Sequence, residues 1–265
     1  MGIVGRDQII AAIAAGRHQT WNFLKGGGTP EAAGNWCSAW ASPGSPGAGT
    51  VGGTYANLTN ESGSINFTDV SPAKRYLWRV DAMSVLSGTL MVYDRLGSIG
   101  SLSLTSTGNR TVSSLALPRS MDTADLNTVE AWVEVTTQTA TTAPIVSLNS
   151  YTNEAGTPGR AGATLTFPAT ATNAQWMGKL PLQAGDKAVQ AVSTLNVAAS
   201  ASAGDCALVL LRPLAFIPVV ANVATSVELT DLPRVYDGSS IGLALLASGT
   251  TSLGLWGRLV TVYDS

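Results

Sequence analysis

The feature that most restricts this chain is its punctuation. From about Tyr55 onward, short runs of β-branched and aromatic residues alternate with Gly, Pro, Asn and Ser turns at close spacing. The runs are Tyr76 to Val85, Gly88 to Tyr93, Val129 to Thr137, Ala143 to Leu148 and Ala163 to Phe167. Lys187 to Val197, Ala207 to Leu211, Ile241 to Ala247 and Leu253 to Tyr263 continue the style. In one of them Val129, Ala131, Val133 and Val135 alternate with Glu130, Trp132, Glu134 and Thr136, the period of two that a half-buried strand requires. A helical pattern appears only near the start, where Asp7 is placed to cap, Ile9, Ile10 and Ile13 share a side, and Gly16 supplies a stop. Many short strands with Gly-rich turns predict an all-β chain, a jelly-roll-like β-sandwich with an extended N-terminal arm containing one short helix.

The arm is assigned to residues 1–54 and the β body to residues 55–265, with two β subdomains divided near residues 150–162 as an alternative. Between Gly26 and Thr54 the chain carries Gly26-Gly27-Gly28, Pro43-Gly44 and Pro46-Gly47, breakers every few residues. Trp36 and Trp40 in the same stretch argue against a solvated linker, so the segment is expected to lie on another surface. A Val-Tyr-Asp tripeptide at 92–94, 235–237 and 262–264 hints at an old duplication of a β unit.

Charge narrows the partners. Only 15 Lys plus Arg stand against 17 Asp plus Glu, and 119 of 265 residues are Ala, Thr, Gly or Ser. With a net charge of -2 and four Lys there is no basic footprint for nucleic acid and no polybasic membrane patch. The greasiest stretch, Cys206 to Ala224, is interrupted by Arg212, Pro213 and Pro218, which a membrane helix does not tolerate easily. The apolar run Ile9 to Ala15 follows Asp7 and Gln8, not a positive segment, so no secretory leader is expected. Cys37 and Cys206 are too few for a disulfide framework and read as buried inert thiols.

The motifs that resemble chemistry lack their partners. Gly47, Gly49 and Gly52 match a dinucleotide fingerprint in letters only, since no helix follows. Gly238-Ser239-Ser240-Ile241-Gly242 matches a nucleophile elbow, but the one histidine, His18, lies far upstream. Asp122, Asp125, Glu130 and Glu134 form one acidic group and Glu228, Asp231 and Asp237 another; both read as solvated β surface, with Glu130 and Glu134 on the same exposed face. Four Asn-x-Ser/Thr sequons at Asn57, Asn60, Asn66 and Asn109 are about what the composition yields by chance. No enzymatic activity, cofactor or metal is expected.

Three segments together resemble virion proteins of tailed bacteriophages: Met91-Val-Tyr-Asp-Arg-Leu-Gly-Ser-Ile-Gly-Ser-Leu-Ser-Leu104, Asn149-Ser-Tyr-Thr-Asn-Glu-Ala-Gly-Thr-Pro-Gly-Arg160, and Leu180-Pro-Leu-Gln-Ala-Gly-Asp-Lys187 continuing to Leu208-Val-Leu-Leu-Arg-Pro-Leu-Ala215. The resemblance implies a minor capsid or decoration (cement) protein of the virion, assembled in the host cytoplasm. Its implied partners are the major capsid protein and further copies of itself in a homo-oligomer such as a trimer. It implies no catalytic residues. Because Trp and Arg dominate interface hot spots and the chain has eleven Arg, Trp21, Phe23, Trp36, Trp40, Arg95 and Arg212 are the candidate interface residues. Residues 1–54 are expected to anchor the protein, so their deletion should leave the β body folded. The alternative is a head or tail fibre, or a receptor- or carbohydrate-binding β protein, which predicts an exposed aromatic cluster on one edge.

Overall fold

The computed structural model describes residues 3, 5–51, 53–55, 59–169 and 171–265. In chain order its elements are α1 (Arg6–Ala14), β1 (His18–Gly26), β2 (Asn35–Ser38), β3 (Gly44–Ser45), β4 (Thr54–Tyr55), β5 (Arg75–Ser84), β6 (Gly88–Ser103) and β7 (Gly108–Ala116). Then come α2 (Thr123–Leu126), β8 (Glu130–Ala140), β9 (Ile145–Asn153), β10 (Thr164–Thr166), β11 (Trp176–Lys179), β12 (Val189–Ala199) and β13 (Ala203–Val219). β14 (Thr225–Glu228), β15 (Arg234–Val235), β16 (Ile241–Ala247) and β17 (Gly254–Tyr263) complete the chain.

The strands form three layers. In the middle, β13, β8, β11, β2, β16 and β6 pair in that order, and β13 also pairs with β6, so the six close into a barrel with β4 attached to β6. Closure removes free edges from the centre of the molecule. A half-barrel of β14, β5, β17, β1 and β3, with β15 on β5, covers one side. A four-stranded sheet, β10-β9-β12-β7, covers the other. The expected all-β sandwich with one short N-terminal helix is therefore present, and its middle layer is a closed barrel.

Alternation in β6 shows how one strand serves two environments. Leu90 and Val92 join the core against the half-barrel, while Met91 and Tyr93 point into the barrel among Trp132, Met177, Val209, Leu211 and Ala244. Past Arg95 the outward residues Leu96, Ile99, Leu102 and Leu104 join the other core, against the four-stranded sheet. β13 runs antiparallel beside it and changes sides likewise, with Cys206, Leu208 and Leu210 in one core and Ala215, Ile217 and Val219 in the other. The register shifts between Pro213 and Ala215, where that hand-over occurs and where a Pro without an N–H is tolerated. Fully burying each of the Leu, Ile, Val and Met side chains among these contributes about 1.5–3 kcal/mol. Inside the barrel Gly242 stands opposite Tyr93, and a Cβ there would lie 2.5 Å from the phenol ring, so the aromatic fits only against glycine.

Two features depart from the sequence expectation. Residues 1–54 are not an arm laid over the body: β1 pairs with β17 along its whole length, and β2 sits between β11 and β16 in the barrel wall. Gly27 and Gly28 follow β1, Pro43 and Pro46 flank β3 whose Gly44 pairs with Lys25, and Trp40 is buried in the body while half-buried Trp36 packs against the barrel interior. The two cores also do not divide the chain near 150–162. One is built from residues between Leu96 and Leu210, the other from the flanking segments, and Tyr151 bridges Arg160 within a single sheet.

The helix forms where expected and packs Ile9 and Ala12, with Ile13, on Leu232, Val262, Tyr76 and Trp78 of the half-barrel's outer face. Its N-cap is Gly5 in extended conformation, and Asp7 lies in the first turn, where its charge favours the helix dipole without capping. Gly16 at φ 72° ends it, with Gly16 N–H donating to the Ile13 carbonyl and Arg17 N–H to that of Ala12.

Candidate interaction surfaces

Four of the six predicted interface residues are interior. Phe23 lies in the half-barrel core, and Trp40, Arg95 and Arg212 are buried too, so none is available to a partner. Arg95, inside the barrel, donates from Nη1 to Glu134 Oε2 at 2.7 Å and from Nη2 to Ser98 Oγ at 3.0 Å, and it lies 4.6 Å above the Trp40 ring. Burial alone would lower its pKa, but Glu134 and Tyr93 beside it hold the guanidinium above its usual value. Arg212 pairs with Asp125 at 2.7 Å, donates to the Arg234 carbonyl and packs on Tyr236. Trp21 and Trp36 are partly exposed and remain eligible.

The acidic residues are dispersed by their partners. Asp122 pairs with Arg234, Asp125 with Arg212, Glu130 with Lys179 and Glu134 with Arg95. Glu130 and Glu134 do share a face, as their spacing requires, but it is the barrel's inner face. Glu134 is fully buried and Glu130 is half-buried, which corrects the reading of both as solvated surface. Asp237 accepts hydrogen bonds from Val70 and Ser71 N–H, while Glu228 and Asp231 are exposed. Among the described residues no three His, Cys, Asp or Glu side chains gather as metal ligands.

The elbow-like motif is structural. Ser240 is buried and its Oγ accepts from the Glu61 N–H at 3.1 Å, while Ser239 Oγ donates to Asp94 at 2.9 Å. Asp94 also takes Arg119 at 2.7 Å, so the motif locks the β16 entrance to β6. His18 is exposed at the head of β1. Of the fingerprint glycines, Gly49 packs on the Trp40 indole, and Gly52 lies outside the described residues. Asn57 lies outside them as well; Asn60 and Asn109 are exposed, and Asn66 is tied to the Glu61 carbonyl. Both cysteines are free and buried in separate cores, and burial pushes each thiol up to about 12.

What the burial pattern leaves outside is a strip at one barrel mouth. Alternation along the end of β13 exposes Phe216, Pro218 and Val220, with Phe216 at 54%, Val220 at 55% and Val223 of the following turn at 51%. The Phe216 ring stands 6.1 Å from Trp36, and Trp36 makes an edge-on contact with Trp132 at 6.0 Å. Trp132 Nε1 donates to Glu130, which with Lys179 forms the charged rim. The position of Phe216 was not foreseen, although β-strand alternation around Pro218 contained the signal. A second opening lies on the outer face of the half-barrel, a groove of about 380 Å³ lined by Asn22, Arg79, Asp81, Met83, Trp256 and Arg258 among others.

Among the described residues no helix is long and apolar enough to cross a membrane. No family model matches this chain, and no curated protein matches it. Among solved structures, the chain aligns with one described as the crystal structure of infectious bursal disease virus VP2 subviral particle. The identity is 9% and the TM-score 0.23, over 93% of this chain and 80% of that chain. A score at that level establishes no common fold.

Proposed function

We propose that this chain is a non-enzymatic virion structural protein, a minor capsid or decoration component that binds the phage head shell and further copies of itself. The observation that carries the reading is the barrel-mouth strip, Trp36, Phe216, Pro218, Val220 and Val223. A chain that pairs most of its arginines internally and closes its central sheet still leaves large apolar side chains side by side in water. Such a patch marks a surface that a neighbour covers. The resemblance of the three segments to tailed-phage virion proteins supports the setting. Those segments build β6, β13 and the loop clasp in which Arg160 grips Asp186 at 2.9 Å, and so belong to the scaffold.

Phe216 and Val220 project outward, so replacing both by Glu should leave the fold intact and remove contact area from the strip. Binding to purified heads, or self-association measured by light scattering, should weaken roughly a hundredfold, since each large apolar side chain is worth about 1.5–3 kcal/mol when buried. Unchanged co-sedimentation of the double variant with heads would reject this face. The second reading, a receptor- or carbohydrate-binding β protein, is favoured by the composition of the half-barrel groove.

A further inference from the structure

The groove on the half-barrel is built from cross-strand rows. Trp256 and Met83 are partners across β17 and β5 and make its apolar side, with Leu24 of β1 next in register beyond the lining. Beside it Asn22, Arg258, Asp81 and Ser226 are successive partners across β1, β17, β5 and β14, and make a polar row. Arg79 joins this row through the same carboxylate: its Nε donates to Asp81 Oδ1 at 2.7 Å, and Arg258 Nε pairs with Asp81 Oδ2. One carboxylate thus holds two guanidiniums, both through Nε. The terminal nitrogens of each have no other partner among the described residues. The trio carries a net positive charge in a recess, in a protein whose net charge is -2.

We propose that this groove binds an acidic oligosaccharide, with a sugar ring against Trp256 and its carboxylate or sulfate on the terminal nitrogens of Arg79 and Arg258. Planar guanidinium forks match such anions in a bidentate manner, which ammonium groups do not. An aromatic face beside an apolar row suits the C–H face of a pyranose, while Asn22, Asp81 and Ser226 offer the donors and acceptors that hydroxyl groups need. A volume of about 380 Å³ falls within the usual range for small-molecule sites. A simple inorganic anion would leave the Trp256 and Met83 side without purpose, and a nucleic acid would need a longer basic track than two arginines. Further along the outer face α1 packs on Tyr76 and Trp78.

The groove shares no residue with the barrel-mouth strip, so this proposal and the particle-binding reading fail independently. The test uses the full chain and an immobilised panel of sialylated, uronate-bearing and sulfated glycans with their neutral counterparts, followed by titration in solution with tryptophan fluorescence as readout. At least one acidic glycan should bind about tenfold or more tightly than its neutral counterpart. Arg258→Gln should weaken that binding roughly ten- to a hundredfold. Trp256→Ala should abolish the fluorescence response, and Asn22→Ala, at an exposed position, should weaken binding without altering the melting temperature. Sodium phosphate at the same concentration should not displace the glycan. The proposal is overturned if no acidic glycan binds at millimolar concentration, if neutral glycans bind equally, if phosphate competes on equal terms, or if Arg258→Gln and Asn22→Ala both bind as the parent does.

Discussion

Arg95 and Glu134 are the most consequential pair in the molecule because neither has any contact with water. Their mutual attraction is strong in the barrel, but both were stripped of hydration to reach it, so the pair as a whole adds little. The asymmetry appears when one partner is removed. Arg95→Met should cost about 3–5 kcal/mol, because Glu134 is left as an uncompensated buried charge. Adding Glu134→Leu to that variant should restore most of the loss, since an apolar pair fills the same space. Urea denaturation of the two single and the double variant checks this, and additive single-variant effects would show that the pair is not coupled. At this scale the sequence was partly legible. Trp and Arg look alike in composition whether they bury or project, which is why composition points to Arg95 and Arg212 as contact residues. The better signal was that β6 is apolar at both Leu90/Val92 and Met91/Tyr93, which requires both faces to be covered and therefore an internal partner for Arg95.

The elements separate into those that close sheets and the one that only covers them. β5, β16 and β17 were readable within a residue or so, because β-branched runs bounded by turns specify them. β1, β2, β7 and β11 were not, because Gly, Ser, Thr and Asn dominate them or their flanks and give little pattern. Yet β1 and β2 are interior strands, and the physical consequence is clear. Removing residues 1–54 would take away the β17 partner and open the barrel between β11 and β16, exposing unpaired backbone along both. That truncation should give insoluble or unfolded protein, as judged by circular dichroism and solubility. Removing only residues 1–16 deletes α1 and uncovers Trp78, Tyr76 and Val262 while every strand survives. It should remain folded and lose about 2–4 kcal/mol, corresponding to the burial of Ile9, Ala12 and their contacts. A fully folded protein lacking residues 1–54 would refute the placement of β1 and β2.

At the scale of the whole molecule, scarcity of charge makes stability depend on a few interior groups, and their titration predicts an alkaline optimum. Lys25 is 3% exposed, and its Nζ donates to the carbonyls of Gly47 at 2.8 Å, Ser42 at 3.2 Å and Gly63 at 3.4 Å. Burial lowers its pKa from 10.5 to about 8. Between those values the unfolded chain holds a proton that the folded chain has released, so stability rises with pH by about 1.4 kcal/mol per unit. Cys37 and Cys206 act in the opposite sense, since burial raises both from 9.0 to about 12. Above pH 9 their unfolded thiols ionise while the folded ones do not, and two lost protons outweigh the one that Lys25 contributes. From pH 10 the Tyr93, Tyr151 and Tyr236 phenols, each raised by burial from 10.0 to about 12, add to the decline. The denaturation midpoint should therefore climb from pH 8, peak near pH 9 and fall steeply above pH 10. Lys25→Met should erase the climb and leave the fall. Native Cys37 and Cys206 should also resist a thiol reagent at pH 8 until denaturant is added. A midpoint that declines steadily from pH 7 would show that the carbonyl cage around Lys25 keeps it charged, and that the interior does not govern the alkaline profile.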